Sequence, residues 1–434
     1  MIGVLVTVVN PAGTEGYTLE YGSEVVPPPI PADGIRVAET EDGLRITTDR
    51  LQVDLSRTHF SPPGVVWVDA NRDGRFSGAE QVVAQGEGLV LVDAQERRYT
   101  STGAPATRLE IEEAGPVRTV VVAEGPLTGA AGKRLSYRCR LYFYRGFAAV
   151  PTVVSLLVDE GKTIFPPTMH RIKSFTLPVK LAATTQGERG RWLQDDDNHY
   201  AISGTKRAGT YQGELPNARS VGVGQTQVTI AVKDFWQLYP KAFAFDGQTF
   251  TAELFPELPP DQYAEHTDPK LLTINYYWYQ KGAYLVPCGM QPSTDLLFSF
   301  ERGEPEAAGN AWQHAVLLAA SPEHVCDSKA FGELEPEKAG VFDVFQSFVR
   351  DGLRKIDGRR RNQRWYSWMN YGDTYGERGV NWTNQEYDMQ WGLLLQYARS
   401  GDMRFFDRGL SAARHTAGID QITWSPEPAR MGIQ

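Results

Sequence analysis

Trp365 to Trp391, WYSWMNYGDTYGERGVNWTNQEYDMQW, is the densest aromatic and polar passage of the 434-residue chain. Its rings are interleaved with two Asn-rich turns and with Asp373, Glu377, Arg378, Glu386 and Asp388, without core periodicity, and it opens directly into an amphipathic helix. Rings flanked by carboxylate, amide and guanidinium groups suit a carbohydrate cleft, because a sugar shows apolar C–H faces and a rim of hydroxyls. The competing reading is a wide aromatic loop packed on its own domain.

The sequence around this passage is helical. Thr383 and Glu386 read as a capping box, Tyr387, Trp391, Leu394, Leu395 and Ala398 recur at helical spacing, and Gly401 supplies a stop. Asp402 caps a further helix with a predicted buried stripe of Phe406, Leu410 and Ala413, ending near Gly418. The connection Ser400-Gly401-Asp402 is short enough to force an antiparallel helical hairpin. Upstream, Val341 to Ile356 puts Phe342, Phe345, Phe348, Val349 and Leu353 on one stripe, and the basic run Arg350 to Arg364 reads as a solvated helix end. Residues 336–434 therefore look like the start of a helical repeat domain. One hairpin and one helix cannot bury their apolar faces alone. Either they lie on a β-sandwich or the chain is the front of a longer protein, and the second reading is favoured.

Everything before residue 336 reads as β structure. Within 1–115, Gly43 to Leu55, Gly64 to Val68, Gly88 to Ala94 and Ala106 to Gly115 show strand alternation or short apolar runs between turn residues, as in a small β-barrel or sandwich. Inside it, Asp69 to Glu80 (DANRDGRFSGAE) matches a calcium loop. Asp69, Asn71 and Asp73 stand at positions 1, 3 and 5, Gly74 at the reversal, Arg75 at the carbonyl position, Ser77 at 9 and Glu80 at 12. A structural Ca²⁺ is the favoured reading, and a metal-free Asx turn is the alternative. From 116 to 335, longer strands without helical spacing suggest a central antiparallel β-sandwich, with Leu135 to Tyr144 and Val150 to Val158 as a hairpin. Gln194 to Tyr200 (QDDDNHY) reads as a solvated polar loop, with a metal or cleft role as the alternative. Asp234 to Phe243 (DFWQLYPKAF), with Trp236 and Tyr239 next to Pro240 and Lys241, reads equally as an aromatic strand end packed on the next domain or as a binding element.

Composition narrows the partners. A net charge of −9 argues against nucleic acid but leaves room for a local basic pocket that binds an acidic sugar. The chain has no apolar run long enough to span a bilayer. Its first residues, MIGVLVTVVN, read as a strand rather than a signal peptide, which implies a cytoplasmic chain, or an extracellular one if the true start lies upstream. Cys139, Cys288 and Cys326 form neither a disulfide framework nor a metal-ligand spacing.

Two passages, DFWQLYPKAF and Asn370 to Asp402, together with the order of segments, resemble the YetA-like and exo-rhamnogalacturonan lyase group of polysaccharide lyases. The resemblance is strongest from about Tyr366 to His415. It implies a small N-terminal β-barrel, a central β-sandwich and a C-terminal α/α toroid, with the cleft where sandwich and toroid meet, and group members are much longer than this chain. The substrate it implies is a polysaccharide or oligosaccharide containing uronates, cleaved by β-elimination. That chemistry needs a clamp on the carboxylate, a base for the adjacent proton and an acid for the leaving oxygen. By residue type, Arg378 is the clamp, Tyr371 or Tyr375 the proton carrier, and His415 base or acid. Trp368 and Trp382 supply sugar-facing rings, and Asn381, Asn384 and Glu386 orient hydroxyls. Two readings compete with it. A glycoside hydrolase would draw on Glu377, Glu386 and Asp388, and a non-catalytic carbohydrate-binding β protein would need none of them.

Overall fold

The computed structural model describes residues 34–183, 185–264, 276–315, 319–376, 383 and 386–433. The first strands are β1 (Arg36–Thr40), β2 (Gly43–Thr47), β3 (Leu51–Ser56), β4 (Val65–Val68) and β5 (Gln81–Val83). They form an open antiparallel meander in sequence order. In β3, Leu51, Val53 and Leu55 are buried while Gln52, Asp54 and Ser56 are half-buried, the two-residue period of a sheet with one face on a core. The described residues thus show an open sheet where a small barrel or sandwich was expected.

Next come β6 (Val90–Asp93), β7 (Arg98–Thr100), β8 (Arg108–Ala114), β9 (Arg118–Gly129), β10 (Gly132–Tyr144), β11 (Ala149–Leu157), β12 (Met169–Lys180) and β13 (Thr185–Gln186). They are followed by β14 (Gly190–Asp196), β15 (His199–Ser203), β16 (Gly209–Gln212), β17 (Ala218–Val223) and β18 (Thr226–Val232). The last are β19 (Lys241–Phe245), β20 (Thr249–Phe255), β21 (Tyr279–Gln280), β22 (Ala283–Pro287) and β23 (Ser293–Ser299).

Their pairing resolves into two layers. One sheet runs β13-β17-β18-β23-β11-β10-β9-β8. The other runs β7-β6-β12-β20-β19-β14-β15-β16, with β22 and β21 continuing beside β12. The pair Thr100↔Thr128 joins the layers at one edge. This is the expected β-sandwich, and the β10–β11 hairpin lies where the alternation placed it. In β10, Leu135, Tyr137, Cys139, Leu141 and Phe143 are fully buried and the residues between them are half-exposed, apart from the exposed start of the strand. Strands β6 to β8, assigned above to the first unit, pair with this sandwich, so the pairing does not break at residue 115. All three cysteines are free and buried.

Among the described residues five α-helices follow: α1 (Pro305–Gln313), α2 (Pro322–Asp327), α3 (Asp343–Gln363), α4 (Met389–Ser400) and α5 (Met403–His415). The α4–α5 hairpin forms as predicted. Gly401 takes the left-handed conformation that closes α4, and the Asp402 carboxylate accepts from Arg404 N at 3.1 Å to cap α5. Three expectations fail here. Helix α4 starts at Met389, so Thr383 and Glu386 do not cap it; Thr383 N donates instead to Thr374 O. The buried stripe of α5 is Phe405, Arg408, Ala412 and His415, because Gly409 packs on Leu393 and Leu394 of α4 while Ser411 and His415 lie against Gly372 of the aromatic passage. On α3, Phe342 and Phe348 are 79% and 73% exposed, and the shared helical core is limited to Leu353, Leu393 and Phe405 with their half-buried neighbours.

The aromatic passage decides how helices and sandwich meet. Ser367 N donates to Gln237 O at 2.8 Å and Trp368 N to Tyr239 O at 2.9 Å, which stitches it to the DFWQLYPKAF segment. Tyr366, Trp368 and Met369 join the sandwich core, with Trp368 edge-on to Phe255 at 4.9 Å. Gly372, at φ +107°, lies against α5, where an added Cβ would sit 2.3 Å from Ser411 O and 2.7 Å from His415 Cβ. Gly372→Ala is therefore expected to lower stability by about 1–3 kcal/mol, read from the midpoint of urea unfolding, since both backbone strain and overpacking oppose it. An unchanged midpoint would show that α5 can shift freely.

Candidate functional site

A cavity of about 290 Å³ opens where the aromatic passage, α5 and the sandwich converge. Three separate segments build it. The sandwich contributes Asp234, Leu238, Lys241, Phe255 and Asp295, the aromatic passage contributes Trp368 and Tyr371, and α5 contributes Arg414 and His415. This is the seam at which the resemblance placed a cleft.

His415 is the central titratable group. Its ring is fully enclosed, with Nε2 at 3.2 Å from Asp420 Oδ1 and 3.6 Å from Asp373 Oδ2. Burial pushes the imidazole down, but Asp420 and Asp373 outweigh it and hold His415 above its ordinary value. Burial raises the Asp373 carboxyl to about 7, against the pull of His415. Asp373, His415 and Asp420 are grouped tightly enough to hold a small cation. Beside them, the buried Arg408 guanidinium donates to Asp373 O and Thr374 Oγ1, each at 2.8 Å, and this local positive charge favours an internal ion pair over a metal. Burial also raises the Tyr371 hydroxyl, which stays protonated at neutral pH.

The other walls carry paired charges. Arg414 meets Asp295 at 2.6 Å. The Gln313 amide donates to the Asp234 carboxylate at 2.6 Å, and burial raises that carboxyl. Lys241, 2% exposed, donates to Leu254 O at 2.8 Å and lies 5.2 Å from the centre of the Phe255 ring.

A second polar cluster corrects the reading of QDDDNHY as a solvated loop. Asp195 and Asp196 are buried at the β14–β15 turn, where His199 Nδ1 lies 2.6 Å from Asp195 Oδ1. Arg364, at the end of α3, reaches Asp196 Oδ1 at 2.5 Å and donates from Nε to Asp197 at 2.9 Å. The end of the basic run is thus a half-buried tie between helix and sandwich rather than a solvated terminus.

The predicted site residues separate into three groups. Tyr371, His415 and Trp368 line the cavity, although Trp368 is 5% exposed and mainly a core residue. Tyr375 is buried against Trp365 and does not line it, and Glu386 is exposed away from its lining. Arg378, Asn381, Trp382 and Asn384 lie outside the described residues. Sequence reasoning did not assign a site role to Lys241, Asp234, Asp295 or Arg408; the one available signal was a lysine set among the rings of DFWQLYPKAF.

In the 69–80 loop, the Asp69 carboxylate accepts from Asp73 N and Gly74 N at 3.1 and 2.8 Å, and Glu80 Oε2 accepts from Ser77 N at 2.9 Å. Gly74 takes φ +75° at the reversal, and Glu80 Oε1 is buried without a hydrogen-bond partner.

Residues 35–166 match the model of the PcRGLX-like protein central beta sandwich domain. The match runs from β1 through β11, so it takes in residues 35–115 of the stretch expected to be a small barrel or sandwich. No curated protein matches the chain. Among solved structures, a putative aldose 1-epimerase from Klebsiella pneumoniae is similar at 12% identity and TM-score 0.35, over 62% of this chain and 81% of that one. A glycoside hydrolase family 97 enzyme from Pseudoalteromonas sp. strain K8 is similar at 8% identity and TM-score 0.32, over 61% of this chain and 33% of its own. A TPR-domain containing protein from Parabacteroides distasonis reaches 10% identity and TM-score 0.36, over 86% and 68%.

Proposed function

We propose that the chain is carbohydrate-active and takes part in β-elimination on uronate-containing, rhamnogalacturonan-like chains. The observation that carries this reading is the buried imidazole of His415, held between two carboxylates at the wall of a cavity that Tyr371 also lines. The match of residues 35–166 to a domain of a rhamnogalacturonan lyase-like group supports the substrate class. His415, in its neutral form, takes the proton next to the uronate carboxylate, and Tyr371 protonates the departing glycosidic oxygen. Arg378 keeps its proposed role as carboxylate clamp, and Arg378→Ala is expected to slow turnover by at least tenfold; unaltered turnover would remove it from the site.

The sign of the pH dependence follows from His415. Its conjugate acid is held above the ordinary histidine value of about 6.5, so turnover should rise with pH through an inflection above that value. Asp420→Asn removes one of the two carboxylates and should move the inflection down. A profile that is flat, or that falls, across this range would exclude His415 as the base.

We also propose that the 69–80 loop binds a structural calcium ion, with the orphaned Glu80 Oε1 as one of its ligands. At a concentration about 100 times its Kd, calcium should stabilise the fold by about 2.7 kcal/mol. A thermal melt with calcium and with chelator reads this directly, and identical midpoints would leave a metal-free turn.

A further inference from the structure

We propose that Lys241 receives one carboxylate group of a uronic acid inside the cavity, forming an acidic-sugar subsite distinct from the proton-transfer pair. The inference rests on the carbohydrate reading above and names the ligand chemistry of the same cavity.

The argument is one of charge. Arg414 is matched by Asp295, His415 by Asp420 and Asp373, and the charge of Lys233 lies beside Asp234. Lys241 differs. Its side chain is buried, its hydrogen bonds go to the carbonyls of Leu254 and Pro240, and no carboxylate lies within ion-pair distance among the described residues. Two carbonyls and an aromatic face orient an ammonium but carry no full negative charge. A ligand carboxylate supplies the missing one. The Phe255 and Trp368 rings beside it form an apolar wall, as the C–H face of a sugar requires.

In the empty cavity, burial pushes the Lys241 amine down to about 7, and no charged neighbour contributes to that shift. At pH 8 the amine is mostly neutral, so binding a carboxylate must bring a proton with it. The other titratable or charged groups lining the cavity are Asp234, which accepts from Gln313 and lies beside Lys233, the Asp295–Arg414 pair, His415 with its carboxylates, and the Tyr371 hydroxyl, which stays protonated.

The test is calorimetric titration of the chain with D-galacturonate and with D-galactose at pH 8, in two buffers of different ionisation enthalpy. Galacturonate should bind with uptake approaching one proton, galactose with none, and the galacturonate Kd should rise about tenfold per pH unit above about pH 7. In Lys241→Met the preference for galacturonate and the pH slope should both vanish. Galacturonate binding without proton uptake, or with no advantage over galactose, would overturn the subsite. If Lys241→Met fails to fold, the proton count is taken on His415→Asn, which removes the other cavity group that titrates in this range, and the uptake should persist there. Failure of the elimination reading looks different: proton-coupled galacturonate binding would persist while no unsaturated ends form. Conversely, normal formation of unsaturated ends by Lys241→Met, with no proton uptake in the unsubstituted chain, would remove the subsite and leave the elimination reading intact.

Discussion

Arg364→Leu is expected to destabilise the chain by about 3–5 kcal/mol, because it leaves the carboxylates of Asp196 and Asp197 buried without their cation. The loss should appear in the midpoint of denaturant unfolding and in separation of the α3 end from the β14–β15 turn. Its pH dependence has a definite sign. Burial already pushes Asp197 up to about 6 against the pull of Arg364, and losing the guanidinium raises it further. A carboxyl whose folded pKa is raised binds more protons folded than unfolded, so the variant should regain stability as pH falls toward the range below 6. Adding Asp196→Asn and Asp197→Asn should recover much of the loss at neutral pH. A small effect of Arg364→Leu, below about 1 kcal/mol, would mean that the pair behaves as an exposed surface bridge.

His415→Asn should reduce elimination by about 10²- to 10⁴-fold, the usual share of a positioned general base. The same change removes the positive partner of Asp373 and Asp420, so a loss of stability accompanies it and has to be measured separately by thermal unfolding. The separation comes from the pH profile. If His415 is the base, residual turnover in the variant loses the inflection above the ordinary histidine value, whereas a purely structural role would lower the amount of active protein and leave the profile in place. Tyr371→Phe should slow the reaction without moving that inflection, since it removes the proton donor but keeps the ring against Tyr366.

Much of the sandwich could be read from the sequence because its strands obey a local rule. The alternation in β10 and β3 states which face is buried without reference to any other segment, and Gly401 with Asp402 defines a hairpin in three residues. The helical boundaries were harder. Thr383 and Glu386 satisfy a capping pattern, yet Thr383 N is engaged by Thr374 O, a partner the pattern cannot contain. QDDDNHY has the composition of a solvated loop, and its burial depends on distant partners, Arg364 for Asp197, Tyr276 for Asp196 and Gln262 for Asp195. The cavity is the extreme case. It joins residues from 233–241, 291–295, 368–371 and 411–419, and no local spacing connects them. The residue types of His415 and Tyr371 suit elimination and mark them in the sequence, whereas Lys241, set among aromatic residues, fits packing and binding equally well until its buried ammonium is seen without a carboxylate among the described residues.

The aromatic passage from Trp365 onward serves both readings. Its first part is a packed element, with Trp365, Trp368 and Tyr375 buried, and Tyr371 within it faces the cavity. The packing therefore holds the proposed proton donor in place.

The most direct measurement is the stoichiometry of products from rhamnogalacturonan incubated with the chain. Elimination creates one unsaturated, ultraviolet-absorbing end for every new reducing end, and that one-to-one ratio is the predicted result. New reducing ends without the absorbance would mean hydrolysis and would contradict the assignment of His415 and Tyr371 to β-elimination.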